Sequence, residues 1–500
     1  MTTPNGAPRR EEFAEVLELV TRAARSYLDG LDERPVREPG ARAAARSFRA
    51  PLPEHGSGAP AALRELLDRG LEASLASSGP RCFHLVVGGN TPAGLGADWL
   101  TSVLDPLAYA WVVSPLAVEL ERVVLDWLRE LFALPELRGG LITTGATMAN
   151  FVGLCAARQW WGERQGVDVA LHGLAGLPPV PVFTSGYVHS SAVKVLGLLG
   201  IGRASVRRCA KDDVGRVDLA ALERGLAELG GRPALVIANA GEVNAGDFDP
   251  IAKIAALARK HDAWLHVDGA FGLFARVSPR TAALVEGVEL ADSVTVDGHK
   301  WLNLPYDCGF ALVRDPALLA RAFVYDAAYL PDPDDEEPVL GSIGPESSRR
   351  GRALAAWATL RAYGRAGVRA WVEGHLDLAQ LLAKRVDEAP DLQRLADVPL
   401  CIVCFRYAPP GVPDEELDLL NARLGAALLE DGRFYVGTTR YGTRTALRPA
   451  LVNWRTRASD VEGFVAVVRE VGARVLGGMH AAAQDKPGVP WYSPKNLHRG

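Results

Sequence analysis

Short apolar runs alternate with helix-like segments along the middle of the chain. Seven runs have the length and composition of buried β-strands; they cover residues 140–144, 180–185, 204–209, 233–240, 263–268, 292–297 and 308–315. Most are separated by segments with the spacing of an amphipathic helix, which is the pattern of successive β-α-β units. The sequence therefore predicts an α/β fold with a mainly parallel central sheet and helices on both faces.

The two ends of the chain have a different pattern. Residues 11–30 and 60–76 repeat Leu, Val and Ala at helical spacing. Long helical patterns around a few short strands begin near residue 355, and the C-terminal end has no periodicity. The predicted regions are an N-terminal helical arm over 1–78, a large domain over 79–350, a smaller C-terminal α+β domain over 351–480 and an extended tail over 481–500.

An aspartate marks the start of two helical patterns. Asp218 precedes "LAALERGLAELGG", and Asp249 precedes Pro250 and "IAKIAALARKHD". Aspartate at an N-cap accepts hydrogen bonds from the first N–H groups of a helix, and proline is favoured at the first helical position. We expect both aspartates to cap the helices that follow them.

Charge and composition narrow the class of protein. The 500 residues carry a formal net charge of −5, which argues against nucleic acid as a main partner because phosphate binding needs clustered Lys and Arg. The N-terminus lacks the apolar core of a secretory signal, and no apolar run approaches the ~20 residues of a membrane helix. The six cysteines are scattered, as in proteins of a reducing compartment. We expect a cytoplasmic protein without a membrane partner.

Three residues with chemical potential follow predicted strands. Asp268 ends "AWLHVD", His189 follows "VPVFTS", and Lys300 follows "DSVTVD". Ligands collect at the C-terminal ends of strands in an open α/β sheet. A buried lysine can form a Schiff base, and a carboxylate can keep a pyridine nitrogen protonated, which is what pyridoxal phosphate needs to act as an electron sink. The segment between Asp268 and Lys300 leaves room for one crossover helix, so the two can occupy adjacent strand ends.

A phosphate site is expected to accompany them. The stretch "TTGATMANFVGL" combines a strand end, a tight turn at Gly145, Ala146 and Thr147, and a helix. The first N–H groups of a helix face outward and bind anions. This turn is the candidate phosphate-binding element.

Taken together, these residues resemble the group II pyridoxal-phosphate-dependent amino acid decarboxylases, the family of aromatic amino acid, glutamate, histidine and 2,4-diaminobutyrate decarboxylases. The resemblance covers roughly residues 80–465, and "DGHKWLNLPYDCG", "HVDGAFG", "VHSSAVK" and "LRPALVNWRT" carry it. It implies fold type I of the pyridoxal-phosphate-dependent transferases, pyridoxal 5'-phosphate as cofactor and a homodimer with shared active sites.

The resemblance also implies roles for individual residues. Lys300 would bind the cofactor as a Schiff base, and Asp268 would face its ring nitrogen. His189 would stack on the cofactor ring, with Ala270 against the other face. The phosphate would be bound by Ala146, Thr147 and His299, aided by Ser347 or Ser348 of the partner subunit. Tyr109 and Trp111 lie where the family's partner subunit lines the substrate pocket.

Three departures from the family leave the outcome of the reaction open. Glu242 stands where relatives usually carry Thr or Asn, and Met148 where they commonly carry Glu. The family's mobile loop commonly brings a tyrosine that protonates the reacting carbon, but residues 330–362 contain no tyrosine and include the acidic "PDPDDEEP". We hypothesise that His189 or a protonated Glu242 supplies the proton, and that an aldehyde forms if neither does.

The predicted function is decarboxylation of an L-amino acid, which releases CO₂ and an amine. The alternatives are oxidative decarboxylation and deamination to an aldehyde, another lyase reaction with the same cofactor, and a catalytically silent cofactor-binding scaffold. A metal hydrolase built on His266, Asp268 and His299 is disfavoured because the chain has no HExxH or compact ligand set, and no metal is predicted. His266 is expected to be a packing residue. Cys401 and Cys404 form a CxxC within a strand-like run, where their side chains would point to opposite faces.

Overall fold

The computed structural model describes residues 10–324 and 337–484. Its N-terminal part consists of helices α1 (Glu12–Asp29), α2 (Ala41–Arg46) and α3 (Ala59–Ala73). Helices α1 and α3 pack against each other. Their bounds confirm the two helices predicted near 11–30 and 60–76.

The central sheet contains all seven predicted strands. They are β1 (Gly139–Thr143), β2 (Val182–Thr184), β3 (Val206–Arg208), β4 (Ala234–Asn239), β5 (Ala263–Asp268), β6 (Ser293–Asp297) and β7 (Gly309–Val313). The spatial order is β1-β7-β6-β5-β4-β2-β3. Neighbours from β6 to β3 are parallel, whereas β7 runs antiparallel to both β6 and β1. The prediction of a mainly parallel sheet is confirmed.

Helices cover both faces of this sheet. The helices of the region are α4 (Pro92–Leu104), α5 (Pro115–Phe132), α6 (Ala146–Arg164), α7 (Val169–His172), α8 (Ser190–Leu198), α9 (Leu219–Ala227), α10 (Ile251–Lys260) and α11 (Pro316–Phe323). Alternate strand residues enter two separate cores. Val236 and Leu265 join the core that includes α5, α9 and α10, whereas Leu235 and Trp264 join the core that includes α6, α8 and α11.

One of the two predicted helix caps is confirmed and one is wrong. The Asp218 side chain accepts a hydrogen bond from Ala221 N at 3.0 Å and caps α9. Asp249 is buried and does not cap α10, whose N-cap residue is Pro250. Its Oδ2 instead accepts hydrogen bonds from Asn239 N at 2.8 Å and Ser185 Oγ at 2.9 Å. The carboxylate of Asp249 therefore ties the end of β4 to the residue that follows β2.

The connection from β5 to β6 also differs from the prediction. In place of one crossover α-helix it contains three short 3₁₀ segments, Gly272–Val277, Ala282–Val285 and Val288–Leu290. Pro279 cannot donate a backbone hydrogen bond. The side chain of Ser278 accepts from Arg280 N, and that of Thr281 donates to Ala275 O, so side chains compete with helical pairing. Strands β5 and β6 are nevertheless adjacent and parallel, as expected.

The C-terminal part has its own small sheet and core. Its helices are α12 (Ala353–Glu388), α13 (Asp414–Asp431) and α14 (Ala458–Gln484), and its strands are β8 (Leu392–Arg394), β9 (Phe405–Tyr407), β10 (Thr438–Tyr441) and β11 (Arg444–Leu447). The strands form an antiparallel sheet in the order β10-β11-β9-β8. Gly364, with φ of +61°, interrupts the helical conformation of α12. Further 3₁₀ segments are Arg203–Ser205 and Leu340–Ser342.

The predicted start of the C-terminal tail differs from the end of the last helix. Helix α14 extends to Gln484, so the extended tail predicted from residue 481 begins too early. The rest of that tail lies outside the described residues, as do residues 331–336 of the acidic run. The domain boundaries at 78 and 350 stay predictions.

The state of the cysteines bears on the expected reducing compartment, and the length and polarity of the helices bear on the expectation that no helix crosses a membrane. All six cysteines are unpaired and buried. Cys401 belongs to the core of the central sheet, and Cys404 to a small cluster with Ala245, Tyr441 and Ala446. Among the helices in residues 10–324 and 337–484, none is long and apolar enough to cross a membrane.

Candidate active site

The strand ends that the sequence singled out meet around one cavity of about 220 Å³. This cavity lies at the C-terminal edge of the parallel strands, where β5 and β6 end. Nine predicted site residues line it: Gly145, Ala146, Thr147, His189, Glu242, Asp268, Ala270, His299 and Lys300. Met148, which departs from the family's common residue, lines it as well.

Lys300 is held by a carboxylate at the end of β6. Its Nζ lies 3.0 Å from Asp297 Oδ2, and the carboxyl side chain is almost fully buried. Asp297 Oδ1 accepts a hydrogen bond from Ala146 N at 2.6 Å and lies 3.4 Å from His299 Nε2. Asp297 therefore joins the lysine to the start of α6. Sequence reasoning missed it, although an aspartate in the last position of a buried strand is a usable signal.

His299 has a defined orientation within this group. Cys308 N donates to its Nδ1 at 3.3 Å, so the proton of the neutral ring lies on Nε2, on the side of Asp297. Burial lowers the pKa of His299, opposed in part by the nearby Asp297 carboxylate. The ring of Tyr306 stacks on it with centroids 4.1 Å apart.

Asp268 ends β5, next to β6, and is buried. Its Oδ2 accepts a hydrogen bond from Asn150 Nδ2 at 2.9 Å, and its Oδ1 accepts from Ala270 N at 3.2 Å. These two hydrogen bonds fix the orientation of the Asp268 carboxyl group. Asn150 lies on the buried face of α6 and was not predicted as a site residue, because a single asparagine within a helix carries no motif.

His189 caps the helix that follows it. Its Nδ1 accepts from Ser191 N at 3.2 Å and lies 2.6 Å from Ser191 Oγ. Because Nδ1 is an acceptor, the neutral ring carries its proton on Nε2. Burial lowers the pKa of His189, Asp268 opposes this shift, and Lys300 adds to it. The imidazole is therefore predominantly neutral at neutral pH.

The turn before α6 is built for close approach. Gly145 has φ of +147°, and a Cβ at this position would lie 2.9 Å from His299 Cε1. A Cβ on Gly309 would lie 2.5 Å from Gly145 Cα. The first turn of a helix leaves N–H groups without intrahelical acceptors, and Thr147 and Met148 of this turn line the cavity. This geometry suits a phosphate group.

Glu242 lines the cavity, but its carboxyl oxygens accept hydrogen bonds from the backbone of the turn that follows it. It is buried, and its two oxygens accept from Asn244 N at 2.8 Å and from Ala245 N. Burial raises the pKa of the Glu242 carboxyl, whereas the two backbone hydrogen bonds act against that shift. Glu242 thus brings a carboxyl group to the cavity wall, and its role as a proton donor stays a prediction.

Four predicted residues do not line the cavity of the chain that carries Lys300. Tyr109 is buried against Gly341, where an added Cβ would lie 2.1 Å from its ring. Trp111 is half-buried and packs against the core that includes α6. Ser347 and Ser348 are exposed at the surface. All four were predicted to act across a subunit interface, so their roles stay predictions.

The residue after Ser348 anchors this segment. Arg349 is fully buried and forms an ion pair with Glu121 of α5 at 2.7 Å. Its guanidinium also donates to Ala108 O at 2.7 Å and to Ile142 O at 2.9 Å. In a chain rich in arginine, sequence reasoning had no means of separating Arg349 from its surface counterparts.

His266 is a core residue, as predicted. Ser293 Oγ lies 2.8 Å from its Nδ1, and Asn150 Oδ1 lies 2.8 Å from its Nε2. Both ring nitrogens are thus used in hydrogen bonds with protein groups. Over the part of the chain that the structure describes, no cluster of three or more His, Cys, Asp or Glu side chains is arranged to hold a metal ion.

The donor set of the cavity fits pyridoxal phosphate. A lysine amine matches the aldehyde, a carboxylate at the adjacent strand end matches the ring nitrogen, and the N-terminus of α6 matches the phosphate. His189 lines the same cavity. Each part of the cofactor thus has a complementary group.

Comparison with known proteins agrees with this geometry. The profile of the pyridoxal-dependent decarboxylase conserved domain matches residues 63–408. The chain is 29% identical to the aromatic-L-amino-acid decarboxylase of Bacillus atrophaeus over 432 residues, which is 85% of this chain and 88% of that protein. It is 33% identical to the L-2,4-diaminobutyrate decarboxylase of Rhizobium meliloti (strain 1021) over 442 residues, 86% of this chain and 85% of the relative.

A solved structure shares the whole architecture. The crystal structure of Oryza sativa TDC with pyridoxal phosphate and tryptamine superimposes with a TM-score of 0.86 at 25% identity, covering 95% of this chain and 99% of that one. The fold is therefore type I, as predicted. The chain belongs to the pyridoxal-dependent decarboxylase family and is a pyridoxal-phosphate-dependent amino acid decarboxylase.

Proposed function

We propose that the Lys300 cavity is the active site and that it removes the α-carboxylate of an L-amino acid. The observation that carries this proposal is the convergence of Lys300, Asp268 and His189 on one cavity beside the N-terminus of α6. Bound pyridoxal phosphate supplies an electron sink for the pair released when the bond from Cα to the carboxylate breaks.

Each residue has a defined task in this proposal. The Lys300 amine would hold the cofactor at its aldehyde. Asp268, oriented by hydrogen bonds from Asn150 and Ala270, would face the ring nitrogen and keep it protonated. The N–H groups of Thr147 and Met148 bind the phosphate. Asp297 orients Lys300 through the 3.0 Å contact between its Oδ2 and the lysine Nζ.

The reaction needs one proton at Cα after CO₂ leaves. His189 and Glu242 both line the cavity. Burial raises the pKa of Glu242 and so favours its protonated form, whereas the lowered pKa of His189 favours a neutral ring. Both therefore stay candidates for the proton donor, Glu242 through its raised pKa and His189 through the Nε2–H of its neutral ring.

The class of amino acid is best sought among the substrates of the named relatives. Those proteins are described as decarboxylases of aromatic amino acids and of 2,4-diaminobutyrate. Tyr187 and Phe271 add aromatic surface to the cavity wall, and Glu242 adds a carboxyl. We propose aromatic and 2,4-diamino acids as the first substrates to assay.

Borohydride reduction followed by mass spectrometry tests the assignment of Lys300. A phosphopyridoxyl group on Lys300 is expected, since it is the lysine that lines the cavity among the described residues. Lys300→Ala should lose this adduct and all CO₂ release. Lys194→Ala, which changes an exposed lysine of α8, is the matched control and should keep both. Modification of a different lysine in the wild type would refute the assignment.

We further propose a homodimer in which the surface around α4 is the interface. Three apolar side chains there are strongly exposed: Trp99 (40%), Val103 (69%) and Val112 (60%). Exposed apolar surface of this kind marks an interaction site. Arg350 connects the segment of Ser347 and Ser348 to α4, through a 2.8 Å contact with Asp98. This contact supports a role for the two serines next to the proposed interface.

Mixed dimers test whether the active sites are shared. Lys300→Ala lacks the lysine, and a Ser347→Ala/Ser348→Ala variant lacks the phosphate contacts proposed for the partner subunit. Unfolding and refolding the two inactive variants together should restore activity, because one site of each mixed dimer is complete. Two Lys300→Ala preparations treated in the same way are the control. A fully active monomer in sedimentation would refute the proposal.

We also infer a reducing, cytoplasmic compartment. The six unpaired, buried cysteines support it, because thiols persist where glutathione and thioredoxin keep them reduced. Cell fractionation followed by thiol labelling of the unfolded protein would test it. Recovery of disulfides from freshly lysed cells would contradict the inference.

A further inference from the structure

A chain of buried hydrogen bonds runs behind Asp268. Trp264 Nε1 donates to Ser293 Oγ at 3.0 Å, and Ser293 Oγ lies 2.8 Å from His266 Nδ1. His266 Nε2 lies 2.8 Å from Asn150 Oδ1, and Asn150 Nδ2 donates to Asp268 Oδ2 at 2.9 Å. All five side chains are buried.

The chain branches at Asn150. The same Nδ2 lies 3.4 Å from Ser191 Oγ, and Ser191 Oγ lies 2.6 Å from His189 Nδ1. One buried amide therefore contacts Asp268 directly and His189 through a serine. These are the two side chains proposed to act on the cofactor ring and on the substrate.

The two end groups of this hydrogen-bond chain, the Trp264 indole and the Asp268 carboxylate, determine which atom donates in every bond. An indole N–H can only donate and a carboxylate can only accept. Asn150 must therefore turn its NH₂ group to Asp268 and its oxygen to His266. His266 must then donate from Nε2 and accept at Nδ1 from the Ser293 hydroxyl, whose oxygen accepts from Trp264.

The branch follows the same logic. Asn150 donates its second N–H to Ser191 Oγ, so the serine hydroxyl is left to donate to His189 Nδ1. The backbone N–H of Ser191 donates to that nitrogen too. His189 thereby carries its proton on Nε2, the nitrogen left for the cavity.

We propose that Asn150 is a positioning residue that fixes the orientation of the Asp268 carboxyl group and holds His189 as the Nε2–H tautomer at the same time. His266 and Ser293 hold Asn150 in the required orientation. This inference rests on the proposed roles of Asp268 and His189. It gives the buried histidine of "HVD" a task that a simple packing residue would not have.

The energetics favour one state of the network. Burial lowers the pKa of His266, so the ring is neutral and has a single N–H to place. Reversing any one bond would leave a buried donor facing a donor, or an acceptor facing an acceptor, and an unpaired buried polar group is unfavourable. The network is thus expected to populate a single tautomeric state.

Nitrogen NMR of the wild-type protein labelled with ¹⁵N-histidine provides the direct test. Both His266 and His189 should show an acceptor-type Nδ1 and a protonated Nε2 at neutral pH. His266→Gln and His189→Asn assign the two signals by their loss. A protonated Nδ1 on either residue, or a mixture of tautomers, would overturn the proposal. This readout needs no substrate, so it is independent of whether decarboxylation has been detected.

Asn150→Asp tests the junction itself. It keeps the size of the side chain but removes both N–H donors and faces Asp268 with a second carboxylate. We expect pyridoxal phosphate affinity, measured by fluorescence titration, to fall by roughly tenfold or more, and His189 to lose its single tautomer. Asn421→Asp is the matched control, since Asn421 is an equally buried amide bound to backbone atoms of Tyr407 and Leu417.

Comparison of Asn150→Asp with Asn421→Asp distinguishes a specific effect on the site from general destabilisation. Loss of affinity in Asn150→Asp alone supports the proposal, whereas equal loss in both variants would assign the effect to general destabilisation and overturn it. Unchanged affinity and an unchanged His189 tautomer in Asn150→Asp would also overturn it. If Asn150→Asp fails to fold, the tautomers of the wild-type protein still decide the matter.

Discussion

Replacing Arg349 by methionine should strongly destabilise the protein. The guanidinium is fully buried and is shared between Glu121 Oε1 at 2.7 Å, Ala108 O at 2.7 Å and Ile142 O at 2.9 Å. Methionine fills a similar volume but pairs with none of these groups. Glu121 would keep the hydrogen bond that Ile142 N donates to it at 2.8 Å.

The expected loss of stability follows from the burial of both Arg349 and Glu121. Removing one member of a buried ion pair leaves an unpaired charge, which lowers the free energy of unfolding by about 3–5 kcal/mol. Glu121→Gln in the same chain removes the stranded charge and keeps an acceptor for Ile142 N. The double variant should therefore recover about 2 kcal/mol relative to Arg349→Met alone.

Urea unfolding followed by tryptophan fluorescence measures these differences in free energy. Arg385→Met is the matched control, because Arg385 pairs with Glu462 at the surface, with both side chains more than a third exposed, and such pairs contribute about 0–1 kcal/mol. A loss below about 1 kcal/mol for Arg349→Met, or no coupling with Glu121→Gln, would refute the reasoning from burial.

Three further predictions concern the site and the pH dependence of stability. Asp268→Asn should lower turnover by roughly 100-fold or more but change cofactor affinity by less than about tenfold, because it removes the charge opposite the ring nitrogen; equal losses in both quantities would contradict its role. Burial lowers the pKa of His375 from 6.5 to about 4, so between these values the unfolded chain binds a proton that the folded protein does not, and stability falls as pH falls. His375→Gln should remove up to about 1.4 kcal/mol per pH unit of that slope in urea unfolding, and identical slopes would count against this account. If Glu242 or His189 supplies the proton, Glu242→Gln or His189→Asn should raise the ratio of aldehyde to amine and the uptake of oxygen; clean amine at unchanged rates from both would point to another donor.

The sequence predicted the large-scale architecture because the relevant signals are local. Each strand of the central sheet is a short apolar run, and burial on both faces makes such runs recognisable. The same locality explains the errors. Asp249 has the sequence context of a helix cap, but its carboxylate binds the ends of β2 and β4, which are distant in sequence. The β5–β6 connection was expected to be helical, but Pro279 and neighbouring hydroxyl groups disrupt it.

The site residues that directly follow strands could be predicted from the sequence, whereas those that act through packing contacts could not. Lys300, Asp268 and His189 stand directly after strands, so their convergence could be inferred from topology. Asn150 acts through contacts with residues on two other elements, β5 and α8, and no spacing rule brings these together. Asp297 is the last residue of β6, and an aspartate in that position could equally have been a structural cap. Contacts that depend on the packing of α6 against the sheet need the three-dimensional structure.

The antiparallel strand β7 has a consequence for how the protein is made. Strand β1 lies at the edge of the seven-stranded sheet and pairs with β7 alone among the described strands, although the two are far apart in sequence. During synthesis, the turn at Gly145 cannot be seated against Gly309 until residues 309–313 have left the ribosome. Such non-local pairing is slow, and a nascent chain that ends before β7 has an incomplete phosphate cradle. Cofactor capture is therefore expected to follow, rather than guide, assembly of the central sheet.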